Sequence, residues 1–447
     1  MANILLIGNG AREHALAEAI IRSSHKPGLF AYMKANNPGI AQCAEKVKLG
    51  GYGDLRQITD FARESRSDFA IVGPEDPLNN GVVDALKSAG IPAVGPGKLL
   101  ARLETSKFFT RNLLEKYGIP GNPRFRNFTS AAGMEAYLDE LDAVVIKPDG
   151  LTGGKGVLVQ GEHFETPREA LTHCRDILTG HPSVIIEEKL DGEEFSLQCL
   201  SDGKTVVATP PVQDHKRRFP GDSGPNTGGM GSYSCETHLL PFLNEQDVKT
   251  GLEITQRVAD AIYRETGEHY RGIMYGGFMV TKSGVKLIEY NARFGDPEAM
   301  NILPILETDF VDICKAILEG TLSQGKIKFA DKATVCKYIV PKGYGLPAGH
   351  PDAAAASSKI EIGAIGNARL YYSSVDKRDD GIHMTSSRAI GVVGIAATLA
   401  EAEKIAERAA GAISGQVDHR PDIGTRELIE KRINHMKAIR DNTGDGR

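Results

Sequence analysis

Four features are missing from this 447-residue chain, and each absence narrows what it can be. There is no excess of positive charge: 53 Lys plus Arg stand against 58 Asp plus Glu, a net charge of -5. No overall field therefore recommends a nucleic-acid partner, and small-molecule chemistry is the better expectation. There is no C-x-x-C pair among Cys43, Cys174, Cys199, Cys235, Cys314 and Cys336, which argues against a zinc or disulfide framework and suits reduced, packed thiols in a cytoplasm. No apolar run reaches the ~20 residues that cross a bilayer, so no membrane is expected as a partner. The chain also passes from Met1 straight into the strand-like Ile4-Leu5-Leu6-Ile7, without the basic region and longer apolar core of a signal peptide.

What is present is organised in three parts, as the length suggests. Through residue 103, aliphatic runs (Ile4–Ile7, Ala70–Val72, Ile91–Val94) alternate with helical stretches (Ala11–Ser23, Val82–Ala89), a pattern that predicts a parallel sheet with crossover helices. After Gly95-Pro96-Gly97, a helix-prone segment, Leu99–Tyr117, leads into a second unit spanning 104–325. Inside it Ala143–Lys147 and Gly156–Gln160 flank a glycine loop as a hairpin, a helix is expected over Arg168–Leu178, and strands over Val184–Glu188, Phe195–Leu200, Val206–Pro210, Gly277–Thr281 and Lys286–Tyr290. Residues 120–192 read as a small α+β lobe. A third, α+β unit covers 326–440, with strands at Thr334–Val340 and Gly391–Ala396 and a helix announced by the capping box Thr398–Glu401. Residues 441–447 have the polar composition of a frayed tail.

Five segments carry chemistry. Gly8-Asn9-Gly10-Ala11-Arg12-Glu13 follows a strand and opens a helix, where free amides and the helix dipole attract phosphate. Glu13 replaces the third glycine of a dinucleotide fingerprint, so a simpler phosphate ester is expected, with Arg12 adding charge-assisted bonds. The loop Gly150–Gly156 fails the P-loop pattern, because Lys155 is followed by glycine; yet a glycine hairpin bearing Lys155, with Lys147 ending the strand before it, can fold over a nucleotide's phosphates. Val184–Glu188, followed by Lys189-Leu190-Asp191-Gly192-Glu193-Glu194, offers acceptors to an adenine edge and a ribose, although such an acidic run is by itself more often a solvated surface. Asp214-His215-Lys216-Arg217-Arg218 running into the five glycines of Gly221–Gly231 suits a loop around a small anionic substrate; His215 is a general base or, more in keeping with a lone histidine, structural. Finally, Glu289 and Asn291, two residues apart on one strand, share a face where two oxygens can hold Mg²⁺, with Arg293 beyond them, as in-line phosphoryl transfer requires.

In this order and combination the segments resemble the phosphoribosylamine-glycine ligase (glycinamide ribonucleotide synthetase) family of the ATP-grasp superfamily. The likeness runs from Ile4 to about Thr308 and more faintly beyond, through Gly8–Ala15 (GNGAREHA), Gly73–Asp84 (GPEDPLNNGVVD), Lys147–Val157 (KPDGLTGGKGV), Ile186–Glu194 (IEEKLDGEE), Asp214–Gly231 and Ile288–Glu298. It implies a parallel-sheet N-terminal domain, an ATP-grasp fold with a mobile 120–192 lobe, and a small mixed C-terminal domain, acting as a monomer. It implies an ATP-dependent joining of glycine to 5-phosphoribosylamine through a glycyl phosphate. Carried over by motif, Lys107, Lys147, Lys155, Gly153 and Gly154 bind phosphates, Glu187, Glu188 and Leu190 bind adenine, Glu194 binds ribose, and Lys216 completes the nucleotide site. Glu289 and Asn291 hold Mg²⁺ (or Mn²⁺), and Arg293 steadies the transferring group with Lys155. Asp214, Asp296, Glu298, Asn226, Gly228, Gly229 and Met230 line the glycine and amine site, and Gly10 and Arg12 take the sugar phosphate. Three places depart from the pattern: Ala11 stands where glycine is usual, Gly277–Val280 lacks the extra metal carboxylate of many other ATP-grasp enzymes, and Tyr344–Ala348 matches too little to assign contacts. Another ATP-grasp ligase or carboxylase, or a nucleotide sensor, is the competing expectation.

Overall fold

The structure is a computed structural model that describes residues 2–151, 156–323, 325–347, 350 and 357–441. The first domain is a five-stranded, wholly parallel sheet in the order Lys46–Leu49, Gly28–Met33, Asn3–Ile7, Phe69–Val72, Ala93–Val94. Ile4, Leu5, Leu6 and Ile7 are fully buried, because a central parallel strand is covered on both faces. The strand order reverses between Asn3–Ile7 and its neighbour Phe69–Val72, so the crevice at their carboxyl ends is where an α/β sheet binds ligands. Gly8–Gly10 and Gly73–Glu75 both leave the sheet there. The two outer strands Gly28–Met33 and Lys46–Leu49 were not expected; the second is largely exposed and has no continuous apolar run to announce it.

The helix-prone segment 99–117 is broken at Ser106. Arg102–Thr105 ends there, and the Ser106 hydroxyl caps Lys107–Lys116 by accepting the Phe109 N–H at 3.1 Å, which sets Lys107 in the first turn. The lobe that follows has the antiparallel order Phe125–Phe128, Val184–Glu188, Val144–Pro148, Leu158–Val159, with Pro167–Gly180 packed against it. Its core, built on residues such as Met134, Ile146, Cys174 and Ile186, is separate from the main one. A second antiparallel sheet, Val206–Ala208, Gly192–Ser201, Gly272–Thr281, Gly284–Asn291, is backed by the long helix Glu245–Thr266. Another sheet joins the middle and final parts of the chain: Gly231–Ser234 pairs with Ala333–Pro341, which pairs in turn with Ile390–Ala396, so one ladder crosses residue 325. Among the described residues no helix is long and apolar enough to cross a membrane.

Candidate active site

A cleft of about 870 Å³ opens among the lobe, the second sheet, the carboxyl edge of the first domain and the C-terminal sheet. Its floor is the strand Gly284–Asn291. A bulge beside Gly277 leaves Ile288 unpaired, after which Glu289 faces Gly277 and Asn291 faces Tyr275 across the ladder. Glu289 and Asn291 therefore share the cleft side, while Tyr290 between them is 3% exposed and bonds Thr255 at 3.0 Å. Burial pushes the Glu289 carboxyl up, but Lys216, Lys147, Lys107 and Arg293 together hold it below the usual carboxylate range. An ionised carboxylate and an amide oxygen on one face fit a hard divalent cation, and the surrounding cations fit phosphate oxygens. Gly277, opposite Glu289, bears no side chain, so that neighbour supplies no second carboxylate.

Two of the lysines around Glu289 come from the helix Lys107–Lys116 and the lobe strand Val144–Pro148. Lys107 Nζ donates to the Gly150 carbonyl at 2.8 Å, and burial lowers its proton affinity. Lys147 Nζ donates to Glu187 Oε2 at 2.7 Å, and Arg111 pairs with both oxygens of Glu187 at 2.6 and 2.9 Å. Glu187 is thus a buried anion beneath the cleft: burial raises its pKa, but the two cations more than offset this and hold it at about 2. With both oxygens taken, its carboxylate serves Lys147 and Arg111. Glu188 accepts the Arg124 N–H at 2.9 Å, Leu190 lines the cleft, and Glu194 lies 3.3 Å from Lys216, whose pKa is raised by Glu194 first and by Glu289 after the opposing effect of burial.

Arg293 is set by two carboxylates that the sequence reading did not single out. Its Nη2 lies 3.1 Å from Glu104, its Nη1 donates to the Phe294 carbonyl at 3.2 Å, and its Nε lies 3.4 Å from Glu75 at an angle that leaves this N–H without an acceptor. Glu75 also stands 4.0 Å from Arg12 Nη2, and the two arginines hold it at about 2 against the upward push of burial. Arg12 is further fixed by Glu13 at 2.5 Å and by the Phe294 carbonyl at 3.1 Å. Glu13 fills the turn: its Oε2 accepts the Gly10 N–H at 2.6 Å, and a Cβ on Gly8 or Gly73 would meet its side chain at 2.3 Å. The amide of Gly10 is therefore already bonded, and what the turn presents to the cleft is Arg12.

Asp214, Asp296 and Glu298 also line the cleft, together with Arg388 from the C-terminal domain. Arg388 donates to the carbonyls of Gly228, Gly229 (3.2 Å) and Asp296 (3.0 Å), lies 3.3 Å from the Asp296 carboxylate and covers the Tyr338 ring at 4.4 Å. Tyr338 donates to the same carboxylate at 2.5 Å, and Tyr275 to Glu298 at 2.8 Å. Burial and the neighbouring Glu298 push Asp214 well above the usual carboxylate range, and its Oδ1 has no hydrogen-bond partner among the described residues. Gly229 has φ +103°, and a Cβ there would meet Asp214 Oδ1 at 2.8 Å, so only glycine lets the loop lie against that carboxylate. Asn226 and Gly228 line the cleft. Met230 does not: its side chain is fully buried, and its backbone pins the loop by bonds to His215 and Tyr338. His215 is buried between Asp222, at 3.3 Å, and the Tyr233 ring, and its Nε2 has no hydrogen-bond partner among the described residues.

Comparison with known proteins adds the decisive observation. Three family models cover the chain in order: phosphoribosylglycinamide synthetase N domain over 2–104, its ATP-grasp (A) domain over 105–299 and its C domain over 334–426. The phosphoribosylamine–glycine ligase of Methanosarcina barkeri is 48% identical over 437 residues, covering 98% of this chain and 99% of that protein. The chain belongs to the phosphoribosylglycinamide synthetase family. The ligase of the same name from Methanocaldococcus jannaschii is also 48% identical, over 447 residues, with 98% and 99% covered. Among solved structures, the phosphoribosylamine–glycine ligase of Thermotoga maritima superposes with a TM-score of 0.78 at 25% identity, covering 94% of this chain and all of that one. The biotin carboxylase domain of Hydrogenobacter thermophilus 2-oxoglutarate carboxylase, at 16% identity and a TM-score of 0.69 over 98% of this chain and 95% of that one, shares the fold.

Within this family frame, the cleft brings together Arg12, Lys107, Lys147, Glu187, Glu188, Leu190, Glu194, Asp214, Lys216, Asn226, Gly228, Glu289, Asn291, Arg293, Asp296 and Glu298. Gly153, Gly154 and Lys155 lie outside the described residues. The residues that sequence reasoning passed over are Glu75, Glu104, Arg111 and Arg388. Glu75 lies inside the Gly73–Asp84 motif and had that signal; the other three have no local pattern that marks them.

Proposed function

We propose that this chain joins glycine to 5-phosphoribosylamine, converting ATP to ADP and phosphate and yielding glycinamide ribonucleotide for de novo purine biosynthesis. The observation that carries this reading is that one cleft holds the lysines grouped around Glu289 beside Asn291, the carboxylates of Asp214, Asp296 and Glu298, and Arg293, which shares Glu75 with Arg12. Lys107, Lys147 and Lys216 hold the nucleotide's phosphates, and Glu194 its ribose. Glu289 and Asn291 hold the metal, Mg²⁺ or Mn²⁺; when bound, that ion offsets the charge on the phosphate oxygens. The glycine carboxylate oxygen attacks the terminal phosphorus, the bond to ADP breaks, and Arg293 stabilises the charge spread over the phosphoryl oxygens. The amine nitrogen then attacks the carbonyl carbon of the glycyl phosphate, and phosphate leaves as the amide forms. Asp214, its proton affinity raised by burial, is placed to accept the proton that the amine loses.

The mixed anhydride must be kept from water. In this proposal the 120–192 lobe, which has its own core, closes as a unit and brings Lys155 with Gly153 and Gly154 over the phosphates. Arg12 takes the sugar phosphate, and the working unit is a monomer, a point sedimentation equilibrium tests. The central experiment supplies ATP, glycine and phosphoribosylamine and follows ADP and amide. Release of ADP that depends on both co-substrates is expected; amide-free turnover, or turnover indifferent to glycine, rejects the assignment.

A further inference from the structure

The last helix, Arg426–Asp441, starts where the match to the C domain stops at residue 426, yet it reaches back to the active-site cleft. Leu428, Met436 and Ile439 are buried on its inner face, which fixes how it lies. Arg432 is 19% exposed at its side chain and lines the cleft; its Nη1 lies 3.0 Å from Glu193, and its Nη2 pairs with Asp222. The two carboxylates belong to different parts of the site. Glu193 stands next to Glu194 on the strand Gly192–Ser201, and side chains alternate along a strand, so Glu193 turns toward the helix, 3% exposed, while Glu194 turns to the cleft, 48% exposed. Gripping the first orients the second. Asp222 sits at the tip of the hairpin Arg217–Phe219 and Ser223–Asn226 with φ +59°, a conformation that a non-glycine residue keeps only when its surroundings impose it. Arg420 at 2.9 Å, His215 at 3.3 Å and Arg432 impose it here, and the chain leaving this hairpin is the Asn226–Gly231 loop.

We propose that Arg432 is a positioning residue for the ligase reaction, its two-pronged guanidinium locking the nucleotide strand to the substrate hairpin so that the terminal helix completes the active site. His435, which pairs with Glu193 at 2.7 Å, supports the same strand but does not reach the hairpin. A planar fork serves two carboxylates at once, whereas an ammonium serves one well.

This inference rests on the ligase reading, so the full-length parent is assayed first. Without ADP release dependent on glycine and phosphoribosylamine, the ligase reading fails before the variants are considered. With it, Arg432→Ala is expected to raise KM for both ATP and glycine about tenfold, with kcat changed by less than about threefold, and Arg432→Lys to fall between. Arg440→Ala is the control: it lies on the same helix, pairs with Asp247 at 2.7 Å and does not line the cleft. It should lower the melting temperature comparably while keeping parental KM values. Parental KM values in Arg432→Ala, or equal KM changes in the two alanine variants, overturn the proposal and leave the helix a structural support.

Discussion

Glu104 Oε1 lies 3.1 Å from Arg293 Nη2, while the other oxygen of Glu104 accepts the N–H of Ala292 at 2.8 Å. One carboxylate from the short helix Arg102–Thr105 thereby fixes both the guanidinium and the backbone that carries it. Burial alone would cost this pair several kcal/mol, so the arrangement persists because each group partners the other. Its effect is orientation: it holds Arg293 at the wall of the cleft, with the Nε of Arg293 buried and without a hydrogen-bond partner among the described residues.

Replacing Glu104 by Gln keeps the shape and removes the charge. The turnover number is expected to fall about 10- to 100-fold while KM for ATP stays within about twofold, because the defect lies in aim rather than in nucleotide binding. Steady-state ADP release against ATP concentration measures both. A variant with unchanged kcat shows that Glu104 does not position Arg293.

Glu289→Gln removes the charge of one proposed metal donor, and Asn291→Ala removes the other donor outright. Amide formation should drop at least about 100-fold in the first, and the second should need far more Mg²⁺ for half-maximal rate. Titrating Mg²⁺ and Mn²⁺ at fixed ATP reads this directly. Parental rates in either variant remove the basis for the proposed metal position.

Arg388→Lys keeps a charge near Asp296 but cannot span the carbonyls of Gly228, Gly229 and Asp296. KM for glycine should rise about tenfold with little change in KM for ATP, since the Asn226–Gly231 loop is proposed to hold the amino acid. If KM for ATP rises instead, the substrate and nucleotide ends have been assigned the wrong way round.

Glu187 gives the protein an acid-sensitive joint. Its folded pKa, about 2, lies below the ordinary value of 4.5, so its stabilising contribution is complete above pH 5 and is lost as the pH falls toward 2. The contribution is on the order of 3 kcal/mol. Urea midpoints at pH 7 and pH 3 should therefore differ less in Glu187→Gln than in the parent. Glu187→Ala, which strands Arg111 and Lys147, should be destabilised by about 3–5 kcal/mol at pH 7.

The alternation of strand and helix through residue 94, the glycine hairpin and the Glu289–Asn291 spacing could all be read from the sequence, because they rest on periods of 2 and 3.6 and on glycine's backbone freedom. The edge strand Lys46–Leu49 could not, since its four residues alternate too briefly to mark a strand and are mostly exposed. Likewise the resemblance implied a place for Glu187 beside adenine, but nothing local marks that its carboxylate pairs with Arg111 and Lys147, a choice made by residues far apart in the sequence.

By itself the sequence determined much of the alternation of strands and helices and the shared face of Glu289 and Asn291, for these follow from short-range geometry. Only the tertiary structure decided which charges meet: Glu75 with Arg12 and Arg293, Arg388 with the Gly228–Gly229 carbonyls, Arg432 with Glu193 and Asp222. Ion pairing acts through space, and partners that lie tens to hundreds of positions apart are brought within hydrogen-bonding reach by the packing of whole domains.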